Sequence, residues 1–196
     1  MRNYVTRTVL DDPKNRDPHD FYPTPRVAIE ALLNVEAFVG QIWEPACGDG
    51  AISRVLEERG YDVISSDLYD RGFGHVGIDF LRPRGFSQVD NVITNPPFKA
   101  SLAFALRALE VSRGKVALLA RLAWLEGKER REKLFTATPL ARVYVFSQRV
   151  HFARSGLPSN IGSSDGVGGM QAYAWYVWDK AYRSKTTLEW LEPKGK

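Results

Sequence analysis

One cysteine in 196 residues, Cys47, excludes an internal disulfide framework and any zinc site built from several thiolates. The three histidines, His19, His75 and His151, are scattered and match no metal spacing, so no metal site is expected. No apolar run approaches the roughly 18–20 residues that cross a bilayer. The first residues are polar, so neither a membrane span nor a secretion signal is expected, and the cytoplasm is the default compartment. No segment repeats. With 44% hydrophobic and 26% charged residues, the composition fits one globular domain over residues 18–196, after a polar arm at residues 1–17.

The net charge of +4 is small, but it is unevenly spread. Residues 1–81 carry 8 Lys and Arg against 14 Asp and Glu, whereas residues 82–154 carry 14 against 5. A basic middle fits a polyanionic partner such as nucleic acid, and it fits a solvated face equally well.

Apolar runs alternate with helical patterns along the chain. "TPRVAIEALLNVEAF" reads as a helix, with Thr24 and Pro25 as cap and first-turn residues. A short apolar run opens "GQIWEPACGDGAISRVLEERG" as the first strand, and further strands follow at "YDVISSD", "HVGIDFL", "VDNVIT", "KVALLARL", "ARVYVFS" and "QAYAWYVWD". Helices are expected after "EPACGDG", over "SLAFALRALEVSR" and over the charged "EGKERREKLFTA". This alternation predicts an α/β fold with a mostly parallel sheet. The low-complexity stretch Ser155–Gly169 reads as a loop between the last two strands.

Ligand chemistry gathers at the strand ends. Glu44–Gly50 ("EPACGDG") is a Gly-rich turn between the first strand and a helix, where a backbone can approach a ligand. The third glycine of a dinucleotide fingerprint is missing, because Ser53 stands there. Asp67 ends the next strand, placed to accept from ribose hydroxyls. Asp79 ends the strand after it beside Phe80, an acceptor and a ring suited to adenine. Each aspartate alone is equally a strand-end cap. Together they point to an adenosine-containing ligand.

The fourth strand stops at Asn95-Pro96-Pro97-Phe98. The prolines fix φ and lack N–H groups, so they end the strand and stiffen the turn. Asn95, preceding a proline, is held extended. The turn would present the Asn95 side-chain oxygen and the Pro96 carbonyl as acceptors, with Phe98 as a platform for a flat ring. Two acceptors on an exocyclic amino group favour the pyramidal nitrogen whose lone pair can attack. Phe98 would hold a base taken out of its duplex.

With these segments in this order, the chain resembles a class I S-adenosylmethionine-dependent methyltransferase of the amino-methylating DNA family. Asn95–Phe98 matches its [DNS]-P-P-[YFW] motif, and Glu44–Gly50 its cofactor turn. "FYPTP" (Phe21–Pro25) is similar to the segment that precedes that turn when the catalytic motif comes later. The resemblance covers residues 20–180. It implies a Rossmann-like sheet of seven strands in order 3-2-1-4-5-7-6, strand 7 antiparallel, with helices on both faces. It implies S-adenosylmethionine bound by Tyr22, Thr24, Pro25, Glu44, Ala46, Gly48, Gly50, Asp67, Asp79, Phe80 and Asn95. Asn95, Pro96, Pro97 and Phe98 would be catalytic, and Lys99, Arg121, Arg149 and Phe152 would contact substrate.

Asn-Pro-Pro-Phe is commonest in the N6-adenine branch, so adenine in double-stranded DNA is the expected substrate. A C5-cytosine mechanism needs a cysteine beside a proline at the catalytic motif, and Cys47 lies in the cofactor turn instead. RNA bases, a protein glutamine amide and a non-catalytic adaptor are the rival readings. No segment is long enough for a target-recognition domain. Target contacts would come from Lys99, Arg121, Lys128, Arg130, Arg131, Lys133 and the loop from Arg149 to Gly169, giving short or weak sequence specificity. The host would be bacterial, with the gene cellular or phage-borne.

Overall fold

The structure, a computed structural model, describes residues 19–82, 88–152 and 171–193. The polar arm and the loop Ser155–Gly169 lie outside the described residues.

Eight strands form one sheet: β1 (Ile42–Glu44), β2 (Val63–Asp67), β3 (His75–Val76), β4 (Asn91–Thr94), β5 (Lys115–Arg121), β6 (Leu140–Phe146), β7 (Tyr173–Asp179) and β8 (Thr187–Leu191). Their order is β3-β2-β1-β4-β5-β7-β6-β8, and β7 runs antiparallel to both β5 and β6. The first seven strands follow the expected order. The eighth, parallel to β6 at the edge, was not foreseen. Its Leu188 and Trp190 are exposed, Trp190 at 69%, so no buried run marks the segment.

Alternate residues of the central strands enter different cores. Ala117, Leu119, Trp175 and Val177 pack with α1 (Arg26–Leu33) and α2 (Ala51–Glu58). Val116, Leu118, Ala120, Tyr176 and Trp178 pack with α3 (Ser101–Val111) and Leu134. Both faces are therefore covered, which is why β5 and β7 read as unbroken apolar runs.

Three local expectations need correction. Thr24 does not cap α1: Pro25 takes the cap position with no side-chain hydrogen bond, and the Thr24 hydroxyl turns to Asn95 instead. "EGKERREKLFTA" is not one regular helix but a single turn α4 (Lys128–Arg130) followed by a π-turn at Arg131–Phe135. Only Leu134 in those two turns is buried, and one anchor leaves the wider Thr136 N–H to Arg131 carbonyl bond free to form. The strand expected to run to Asp79 ends at Val76, where Gly77 turns the backbone to φ 78°.

Part of the basic middle is turned inward. Glu36, three residues past the end of α1, accepts from Lys115 Nζ at 2.6 Å, from Tyr144 Oη at 2.9 Å and from Arg142 Nε. Burial alone would raise its carboxyl, but the Arg142, Lys115 and Tyr144 hydrogen bonds outweigh burial and hold it below its ordinary value. Lys115 and Arg142 thus fasten the segment after α1 to β5 and β6.

Candidate active site

Two cavities open on either side of the Asn95–Phe98 turn, at the carboxyl ends of the parallel strands. The larger, of about 400 Å³, is lined by Tyr22, Thr24, Glu44, Ala46, Cys47, Asp67, Asp79, Phe80, Asn95, Pro97 and Lys99. The smaller, of about 210 Å³, is lined by Pro96, Phe98, Ser101, Leu119, Ala120, Arg121, Ala123, Trp124 and Arg130. Successive residues of one rigid turn face opposite ways, so Asn95 stands on the wall between the two.

The Asn95 amide is oriented by the Phe21–Pro25 segment. Its Nδ2 donates to Thr24 Oγ1 at 3.1 Å and to the Tyr22 carbonyl at 3.4 Å. A carbonyl can only accept, so the nitrogen must face it, and Oδ1 is left on the other side. That oxygen is buried and, among the described residues, accepts from no group. A buried acceptor without a donor costs about 1–3 kcal/mol and is rare in a folded chain, so the site is built for an incoming N–H.

The Gly-rich turn is held by the strand beside it. Gly48 N–H donates to Asp67 Oδ2 and Tyr69 N–H to Asp67 Oδ1, both at 2.9 Å, and Cys47 N–H reaches the Ser66 carbonyl at 3.0 Å. Gly48 and Gly50 take φ of 56° and 86°. A Cβ on Gly48 would strike the Phe21 ring, and one on Gly50 the Phe73 ring. These glycines admit aromatic neighbours, and neither lines the cavity. Pro25 does not line it either. Phe21 is further clamped by the Arg71 guanidinium, 3.9 Å above its ring.

Glu44 is 2% exposed, at the end of β1. Burial pushes its carboxyl well above the ordinary value, against the opposing hydrogen bond from the Ser53 hydroxyl. Ser65 donates to Ser53 at 2.7 Å. Ser53, at the position of the absent third glycine, thus has a use that the glycine pattern did not reveal. Burial, and next Glu44, push the Cys47 thiol up to about 12, so it is no nucleophile at neutral pH.

Asp79 accepts from Leu81 N–H at 3.0 Å and pairs with Arg82 at 3.0 Å while lining the larger cavity. Phe80 is buried edge-on against Trp43, with ring centroids 5.0 Å apart. Phe98 lies 5.9 Å from the Tyr22 ring and carries the Arg121 guanidinium 4.7 Å from its centroid.

The remaining expected substrate residues are dispersed. Lys99 is exposed at the rim of the larger cavity. Arg149 lines a third hollow with Phe146 and Tyr173. Phe152 is buried in the core, 4.5 Å from the Tyr173 ring, and lines none of these cavities. Lys128 and Arg131 are exposed, Lys133 pairs with Glu129 at 2.9 Å, and Arg130 lines the smaller cavity. Sequence reasoning gave no role to His19, Tyr69 or Arg71, which also line the larger cavity. His19 stacks on Tyr69 with centroids 3.9 Å apart, a contact that no spacing in the chain announces.

No protein-family model and no curated protein matches the chain. Solved structures do. One is a Listeria monocytogenes protein assigned as a class I S-adenosylmethionine-dependent methyltransferase, at 17% identity and TM-score 0.61, covering 93% of this chain and 70% of that one. Another is a Vibrio vulnificus protein assigned as a type I restriction enzyme's modification subunit, at 15% identity and TM-score 0.59, covering 88% of this chain and 47% of that one. A third is a Pyrococcus horikoshii protein assigned as an RNA methyltransferase, at 18% identity and TM-score 0.57, covering 85% of this chain and 91% of that one. The chain has the Rossmann-like fold of the class I methyltransferases.

Proposed function

We propose that the protein transfers a methyl group from S-adenosylmethionine to the exocyclic N6 of adenine in double-stranded DNA, with short or weak sequence specificity. The observation that carries this reading is Asn95 Oδ1, buried and unpartnered among the described residues, on a residue that lines the larger cavity next to Pro96 on the smaller.

The larger cavity suits the cofactor. Asp20, Asp49, Asp67 and Asp79 outnumber Arg71 and Lys99 among its charged lining residues, a wall that disfavours a pyrophosphate and favours hydroxyls and a cationic ligand. Asp67, at the end of β2, would hold the ribose hydroxyls, and Asp79 with Phe80 the adenine ring. The backbone of residues 44–50 would carry the amino-acid part. Tyr22 and Thr24 hold the Asn95 amide from the same cavity. When bound, the cofactor supplies an electrophilic methyl group on a sulfonium.

On the other side, Phe98 offers a face to a flat ring, and Asn95 Oδ1 with the Pro96 carbonyl would accept the two amino hydrogens. That contact draws the amino nitrogen out of conjugation and aims its lone pair across the wall. The work is positioning and electrostatic stabilisation, with no covalent enzyme intermediate. Arg121 and Arg130 on the smaller cavity, with exposed Lys128 and Arg131, give this side the charge that a phosphate backbone requires. Fold neighbours assigned as restriction-modification and RNA-methylating proteins add support for a nucleic-acid substrate.

The test is to offer labelled S-adenosylmethionine with unmethylated duplex DNA, ribosomal RNA or a protein extract. Label is expected in DNA. Label in RNA or protein alone would overturn the substrate, and a calorimetric titration showing no cofactor binding would overturn the donor.

A further inference from the structure

The described residues include five tryptophans, and the four buried ones differ in one respect. Trp43 Nε1 donates to Ser66 Oγ at 2.8 Å, Trp175 Nε1 to the Ala28 carbonyl at 2.9 Å, and Trp178 Nε1 to Thr138 Oγ1 at 2.9 Å. Trp124, only 8% exposed, has no acceptor for its Nε1 among the described residues. Buried indole N–H groups find partners as a rule, so the exception among the described residues leaves a donor ready for an incoming acceptor.

Trp124 lines the smaller cavity, as does a second orphan, Arg121 Nε. Among the described residues no carboxylate pairs with Arg121. Its guanidinium lies over Phe98 and meets the Tyr173 phenol. The nearby acceptors, by contrast, are engaged. Tyr176 Oη donates to the carbonyls of Arg121 and Leu122 at 3.0 and 3.2 Å, Arg130 Nε takes the Trp124 carbonyl at 2.6 Å, and Ser101 Oγ takes the Phe98 carbonyl at 3.0 Å. The unsatisfied polar atoms of this cavity's side chains are N–H donors. A ligand seated there must bring acceptors.

We propose that the cavity between Phe98 and Trp124 seats the target ring, and that Trp124 Nε1 and Arg121 select adenine by donating to the two ring nitrogens flanking its amino group. The inference rests on the amino-methylation reading above and deepens it. Adenine N6 stands between N1 and N7, both acceptors. Cytosine N4 stands between N3 and a C–H, and guanine N2 between N3 and an N–H donor. A glutamine amide offers one carbonyl and no ring. Two donors can therefore be satisfied on both sides of the amino group by adenine alone, and the wrong base would leave a buried N–H unpaired. Trp124 and Arg121 are specificity-determining residues here. The methyl transfer itself is unchanged: the amino nitrogen gains the methyl, the sulfonium is released as a thioether, and the nitrogen loses one proton to water.

The test uses the full chain and duplexes carrying adenine, 1-deazaadenine or 7-deazaadenine at the target position. Each analogue should lower the wild-type kcat/KM roughly tenfold, the usual cost of an unpaired buried donor. Trp124→Phe keeps the ring and removes the N–H. It should cost adenine about the same factor and one of the two analogues nothing further. Arg121→Met should show the same pattern for the other analogue. Comparing variants on one analogue cancels any change in intrinsic amino reactivity or base pairing. Equal losses on all three duplexes would mark Trp124 as structural and overturn the proposal. If Trp124→Phe does not fold, the wild type still answers: undiminished turnover of both analogues would overturn it. Absence of any methylation of adenine by the wild type is a different result, and would sink the underlying reading instead.

Discussion

The two cavities flanking Asn95 are opposites in size, charge and readability. The larger is acidic and built from strand ends in the first half of the chain, while the smaller is apolar and bordered by arginines from β5 and the turns after it. The uneven charge along the sequence thus becomes a charge step across one wall. A cationic donor and a polyanionic acceptor would each meet the sign that suits it, and a turn stiffened by two prolines lends residues to both cavities.

The sharpest way to break this division is Asn95→Ala. Methyl transfer should fall about a thousandfold, the scale of losing a preorganised acceptor at the reacting atom, while the thermal midpoint barely moves. Asp67→Ala should act on one side only: calorimetric cofactor affinity should drop roughly ten- to a hundredfold, with duplex binding unchanged in a fluorescence-anisotropy titration. Equal damage to both ligands would mean that the cavities are not independent.

The legible part of the molecule follows from local rules. Asp67 and Asn95 stand where β2 and β4 stop, and prolines, glycines and acidic residues at strand ends mark themselves in a sequence. The mostly parallel sheet was readable because buried strands alternate with helices, and the order of seven strands followed from the family resemblance. What escaped depends on contacts between distant residues. Ser53 donating to Glu44, Phe21 packed on Gly48 and Arg121 lying on Phe98 have no signature in spacing. Thr24 was read as a helix cap because its neighbour Pro25 supports that role locally, but tertiary packing gives its hydroxyl to Asn95. Phe152, chosen for its place after β6, proved to be core.

Thr24→Val tests that tertiary assignment. It deletes the acceptor that orients the Asn95 amide, and kcat should fall about tenfold while KM for DNA stays within a factor of two. A shift in KM alone would mean that the hydroxyl touches substrate rather than positioning Asn95.

The smallest effect concerns Glu44, whose carboxyl is raised above an ordinary value of 4.5. Below pH 4.5 both folded and unfolded states hold the proton. Above it the unfolded chain ionises first, so this group's contribution to stability declines as pH rises toward the folded value. Glu44→Gln should remove that decline, visible as a shallower fall of the thermal midpoint above pH 4.5, by about 2–4 °C. Glu36, with the opposite shift, contributes stability above 4.5 that is lost as pH falls, and should not respond to this substitution.

The most direct test is the identity of the modified nucleoside. Duplex DNA treated with the wild-type protein and labelled S-adenosylmethionine, digested and resolved by mass spectrometry, should yield N6-methyladenine, and Asn95→Ala should form it about a thousandfold more slowly. Label found on cytosine or guanine, or N6-methyladenine formed by Asn95→Ala at a rate near the wild type's, would contradict the assignment of Asn95 as the acceptor that holds adenine's amino group between the two cavities.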